Sequence, residues 1–186
     1  MRWAALAIAV GGVYLLSRRA KAGGGGGLPM TTQYVASNMK FPSRGTTPVK
    51  GIVIHVTMTR SPASTVRVLE GRGLSTDFEV DKAGRVYQYN RDLAGRFSQA
   101  TGAGANRHVI AIDLTNSASG PWPDAQVQAT RDLVHQLARQ FGFAVRLAPD
   151  GVRKPWREWV DGSTVFRHRN FVAKSCPGTF PFDALA

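Results

Sequence analysis

The sequence predicts an α/β fold: a single domain with a mixed central β-sheet flanked by helices, preceded by a hydrophobic N-terminal segment. Three observations carry that prediction. Two β-branched apolar runs, residues 51–56 (Gly-Ile-Val-Ile-His-Val) and 109–114 (Val-Ile-Ala-Ile-Asp-Leu), read as buried strands. Two alternating segments, 78–81 and 85–89, flank Lys82-Ala83-Gly84 in the manner of a hairpin. Residues 124–141 carry Val127, Thr130, Val134, Leu137 and Phe141 at helical spacing, and Gly142 supplies a stop.

At the N-terminus, residues 3–16 form an apolar run behind Arg2, followed by Ser17-Arg18-Arg19-Ala20-Lys21-Ala22 and five glycines. The run is shorter than the roughly 20 residues that span a bilayer, and suits a signal-peptide core. Ala20-Lys21-Ala22 offers the small residues a signal peptidase reads, whereas the three preceding and intervening cations favour an uncleaved anchor with its basic side chains at the headgroups. The expected organisation is a signal peptide or membrane anchor over 1–22, a glycine-rich linker over 23–30 and one domain over 31–186. Such a leader places the domain outside the cytoplasm, secreted or held at the membrane.

Within the domain, His55 lies near the C-terminal end of the first strand, and polar residues follow it. Ser61-Pro62 opens a helix with a capping hydroxyl and a proline at the first helical position, and Gly71 or Gly73 closes it. His135 lies off the apolar stripe of the long helix and is expected at the surface. Past Phe143-Ala144-Val145 the chain reads as irregular, through Phe166-Arg167-His168-Arg169 to Cys176-Pro177-Gly178, and no internal repeat is present.

Lys and Arg number 24 against 12 Asp and Glu, a formal charge of +12. That balance implies an anionic partner: nucleic acid, anionic lipid or wall polymer. Residues 153–159 interleave basic and aromatic side chains, which suits nucleic acid or a glycan whose sugars stack on Trp. The leader disfavours nucleic acid as the main partner. The single cysteine, Cys176, excludes an intramolecular disulfide and leaves three roles open: structural, reactive or metal-bound.

His55, His168 and Cys176 occupy a strand end and polar loops, where a sheet can aim side chains at one point. Two imidazoles and a thiolate make a good zinc triad, and three protein ligands leave a position open for catalysis. The spacing between His168 and Cys176 is weak evidence alone. The surrounding residues sharpen it. Ile52-Val53-Ile54-His55, the hairpin over 75–88, residues 106–116 and residues 168–178 occur in the order found in a known family. Over about residues 50–182 the chain resembles the zinc amidases that include N-acetylmuramoyl-L-alanine amidases, phage lysozyme-type amidases and peptidoglycan recognition proteins.

The resemblance implies that His55, His168 and Cys176 bind Zn2+ and that Lys174 points into the site. It also implies hydrolysis of the peptidoglycan amide between N-acetylmuramic acid and L-alanine. Zinc lowers the pKa of bound water to about 7 and polarises the carbonyl, and Lys174 would stabilise the oxyanion. Asp113 interrupts an apolar strand at a place where some relatives carry a catalytic glutamate. It reads equally as a general base, one methylene shorter, or as a carboxylate satisfied by backbone or Arg. The chain departs from the pattern at Thr76-Asp77, where many active relatives have Tyr-His. That departure supports a rival reading, a wall-binding module without turnover, while the presence of Cys176 favours an enzyme. A phage endolysin, a virion protein and a bacterial wall enzyme would all use these parts.

Overall fold

Strands that are apolar on both faces need cover on both, and the chain supplies a different cover for each. The structure, a computed structural model, describes residues 32–99, 101–102 and 104–186; the leader and glycine linker lie outside the described residues. Six strands form one sheet: β1 (Thr32–Tyr34), β2 (Gly51–Val56), β3 (Phe78–Val80), β4 (Val86–Gln88), β5 (Val109–Leu114) and β6 (Val165–Arg167). Their spatial order is β1-β4-β3-β5-β2-β6. Among these six strands of the described residues β3 and β4 run antiparallel, and the other pairings are parallel.

The β3–β4 pair is the hairpin expected from the alternating segments. Its turn is held by Asp81, whose carboxylate accepts from the backbone N–H groups of Ala83 (3.0 Å) and Arg85 (2.9 Å). At Gly84, with φ +77°, a β-carbon would collide with the Ala125 carbonyl of the long helix, so the glycine lets the hairpin tip seat there.

Helix α1 (Pro62–Gly71) begins at Ser61, whose hydroxyl accepts from the Ser64 N–H while the Ser64 hydroxyl accepts from the Ser61 N–H. Helix α2 (Asp124–Phe141) ends at Gly142 in the left-handed conformation, with its N–H bonded to the Ala138 carbonyl. One sheet face, bearing Ile52, Ile54, Ile110, Ile112, Phe78 and Val165, packs with Leu133, Val134 and Leu137 of α2. Alternation sends Val53, Phe166 and Tyr87 to the other face. There Trp156, Trp159 and Phe171 cover Val53 and Phe166, and Val66 and Leu69 of α1 pack with Tyr87 and Tyr89.

Two expectations change. Residues 165–167, read as irregular, form β6, and His135 is half-buried rather than at the surface, with its Nε2 3.1 Å from the Leu185 carbonyl. The C-terminal turn Phe182–Leu185 packs beside α2, so a position off the stripe is still covered. Leu133→Ala, which empties a site in the α2 core, is expected to cost about 2–5 kcal/mol in urea unfolding. A loss below about 1 kcal/mol would mean that α2 does not pack on this face.

Candidate active site

Parallel neighbours end on the same side of a sheet, and the site is built on that fact. β2 lies between β5 and β6, with His55 opposite Asp113 and Ile54 opposite Arg167. His55 is the penultimate residue of β2, and His168 follows the last residue of β6. The two imidazoles meet at a centroid distance of 4.1 Å. The chain then turns, the Arg169 N–H donates to the Cys176 carbonyl (2.9 Å), and the Cys176 Sγ accepts from the Val56 N–H at 3.2 Å. Two residues on, Gly178 (φ +69°) passes so close to the Ala118 carbonyl that any β-carbon would overlap it.

One donor atom from each of His55, His168 and Cys176 lies within 4.8 Å of the others. Burial, with His168 and Lys174 adding repulsion, holds the His55 pKa well below its usual range; burial and then Lys174 bring His168 down to about 4. Both rings are therefore neutral and carry a lone pair at neutral pH. Among the described residues the buried His55 Nε2 has no hydrogen-bond partner, which leaves a polar atom free to meet a ligand. Burial pushes the Cys176 thiol up to about 12, although the Val56 N–H favours the thiolate, so only a cation beside it makes the thiolate the resting form. An unpartnered imidazole nitrogen, a second neutral imidazole and a half-buried thiol fit a zinc ion.

Beyond His55 the sheet continues the polar row. Asp113 stands opposite His55 on one side and Glu79 on the other, and both carboxylates are buried, at 4% and 0% exposure. Glu79 accepts from the hydroxyls of Thr115, Tyr89 (2.5 Å) and Thr65 (2.9 Å). No ion pair reaches Asp113 among the described residues. Burial, followed by repulsion from Glu79, raises its pKa from 3.8 to about 8. Lys174 is exposed at the rim of a cleft of about 650 Å³, with Arg153, Arg169 and Ser175. A second cleft of about 470 Å³, lined by Met58, Ser117, Ser119 and Thr179, shares Arg169 and Ser175 with the first.

The family model described as N-acetylmuramoyl-L-alanine amidase matches residues 45–179, which include all five residues singled out in the sequence. The chain belongs to this amidase family. No curated protein matches it. Among solved structures it is similar to the endolysin N-acetylmuramoyl-L-alanine amidase LysCS from Clostridium intestinale, at 19% identity, 86% coverage of this chain, 95% of that chain and a TM-score of 0.62. It is also similar to the endolysin of the Thermus scotoductus bacteriophage Ph2119, at 21% identity, 78% and 87% coverage and a TM-score of 0.56. At these identities the likeness is one of fold.

In this amidase-family domain the departure at Thr76-Asp77 has a structural use. The Thr76 hydroxyl is buried and donates to the Phe78 carbonyl (3.1 Å). Asp77 accepts from the Asn90 side chain (2.6 Å) and the Ala111 N–H (2.9 Å), tying β3 to β5. The aromatic residues of 153–159 are occupied too: Trp156 stacks on His108 at 4.9 Å, and Lys154 lies 4.3 Å above the Trp159 ring. Both Trp rings are half-buried and support the sheet at Val53 and Phe166. Glu79 was missed as a site neighbour, although it interrupts Phe78 and Val80 just as Asp113 interrupts its own strand.

The raised Asp113 pKa has a consequence in zinc-free protein. Between about 4 and 8 the folded chain retains a proton that the unfolded chain has released, so its stabilising share is full below about pH 4 and is lost as pH rises through about 8. Asp113→Asn, which mimics the protonated acid, is expected to flatten the fall in stability across that range in urea unfolding. Parallel profiles for wild type and variant would remove the buried acid from this role.

Proposed function

We propose that this chain is a zinc-dependent peptidoglycan amidase that hydrolyses the bond between N-acetylmuramic acid and the L-alanine of the stem peptide. The observation that carries the reading is the convergence of His55, His168 and Cys176, with an unpartnered His55 Nε2, inside a domain of the amidase family. These three residues would hold the ion. Zinc there supplies Lewis acidity toward an amide carbonyl and the means to activate water.

The chain's own groups supply the rest. The Lys174 ammonium, at the cleft rim near both histidines, is placed to offset negative charge on the carbonyl oxygen. The Asp113 carboxyl, opposite His55 in the strand register, would take a proton from the attacking water and pass it to the leaving amine, the bound ion lowering the pKa that burial raises in its absence. The clefts that meet at Arg169 and Ser175 give an extended substrate room on both sides of the site. The buried Thr76, which offers no phenol to the site, favours the second reading, a wall-binding module without turnover.

The setting belongs to the same proposal. Residues 1–22 are read as a signal peptide or membrane anchor and 23–30 as a linker to the domain over 31–186, so that the domain acts at the cell wall as an endolysin, a virion protein or a bacterial enzyme. Among the described residues no helix is long and apolar enough to cross a membrane.

Digestion of purified peptidoglycan by the full-length protein, read by mass spectrometry, is expected to release stem peptides beginning with L-alanine, with the activity lost to a chelator and restored by zinc. Binding without release would establish the module reading instead. His168→Ala and Cys176→Ser are expected to abolish stoichiometric zinc while the fold persists, and unchanged zinc content in both would remove the triad. Lys174→Ala is expected to lower turnover about 100-fold to 1000-fold at unchanged zinc content. A wild-type rate would return Lys174 to the solvated surface.

A further inference from the structure

Two of the three proposed zinc ligands, His168 and Cys176, sit on one loop, and the residue beside the first has an unusual set of partners. The Arg169 guanidinium forks onto Asp150, with Nε 2.9 Å from one carboxylate oxygen and Nη2 2.8 Å from the other. Its remaining nitrogen, Nη1, donates to the Gly178 carbonyl at 3.2 Å and lies 3.5 Å from the Ser175 carbonyl. Those two carbonyls bracket Cys176, whose own carbonyl accepts from the Arg169 backbone N–H. One residue thus touches the Cys176 turn before, at and after the thiol.

The other end of the fork is anchored as well. Asp150 lies in a segment bonded to β6 through the Ala148 N–H and the Val165 carbonyl (2.8 Å). The Asn170 side chain donates to the carbonyls of Pro149 (3.2 Å) and Val152 (2.7 Å) and accepts from the Arg167 N–H (2.8 Å). A planar guanidinium can hold a carboxylate and two carbonyls together; an ammonium cannot reproduce that fork.

We propose that Arg169 is a positioning residue for the metal site: it clamps the Cys176 turn to Asp150 and so fixes the thiol against His55 and His168 before the ion arrives. The inference rests on the zinc reading of the triad. A zinc–sulfur bond is about 2.3 Å long and a competent site holds its distances within about 0.2 Å, so an unclamped thiol meets the ion poorly. The Arg169–Asp150 pair is partly open to water, at 27% and 60% side-chain exposure, and pairs of that kind contribute little to overall stability. The clamp therefore separates metal affinity from folding.

The test measures the zinc Kd of the full-length protein by chelator competition, alongside the Tm of the zinc-free form. Wild type is measured first; failure to bind zinc there would overturn the zinc reading, and the clamp with it. Given wild-type binding, Arg169→Gln is expected to weaken the Kd about 10-fold to 100-fold, the usual effect of removing a group that orients a ligand. The zinc-free Tm should shift little. Arg169→Lys, which keeps the charge and loses the fork, should recover only part of the affinity. With cobalt in place of zinc, Arg169→Gln should also weaken the thiolate-to-metal charge-transfer band.

A wild-type Kd and an unchanged cobalt band in Arg169→Gln would overturn the proposal. Should that variant fail to fold, Asp150→Asn releases the fork from the opposite end while sparing every loop residue. Weakened zinc binding there would support the clamp, and a wild-type Kd would overturn it.

Discussion

The parallel pairing of β2 with β5 on one side and β6 on the other is the constraint from which the site follows. Parallel strands present their C-terminal ends along one edge, so His55, Asp113 and the entry to His168 are brought together by backbone register rather than by any attraction between them. Ile52 and Ile54 lock that register by facing α2, because a slip of one residue would turn them outward and bury His55 in the main core. The same alternation that makes the core thus aims the imidazole at the opposite face. Cys176 is the exception, since it arrives on a loop and depends on hydrogen bonds for its place.

Electrostatics across that edge are set by burial. Two neutral histidines, a thiol held protonated and a carboxyl that titrates near 8 share a small volume beside the exposed ammonium of Lys174. The donor atoms of His55, His168 and Cys176 lie within 4.8 Å of one another, a set whose chemistry fits a divalent ion. Glu79 extends the acidic row one strand further, held by three hydroxyls instead of a counter-charge. Removing a hydroxyl therefore alters the charge felt at Asp113 without touching His55, His168 or Cys176.

Much of this was legible in the sequence where a period repeats long enough to be read. The runs at 51–56 and 109–114, the hairpin at 78–89 and the helix at 124–141 all stand where their spacing put them. The grouping of His55, His168 and Cys176 was legible because each is a rare residue type at a strand end or in a polar loop. The edge strands β1 and β6 were not, since three residues carry no readable alternation and pair only because a neighbour offers a free edge. Asp113 stood out in its run, yet Glu79 did not, because a carboxylate in a short hairpin strand ordinarily faces water. For Trp156 and Trp159, composition shows that a ring is present and not that part of it packs on Val53 and Phe166.

The close passage of Gly178 over the Ala118 carbonyl, reinforced by the Thr179 N–H donating to the same oxygen at 2.9 Å, couples the Cys176 turn to the wall that carries Ser117 and Ser119. That wall cannot be remodelled independently of the thiol. Diversification of this cleft, whether by natural drift or in a laboratory library, is channelled to Met58, an exposed lining residue two positions beyond β2.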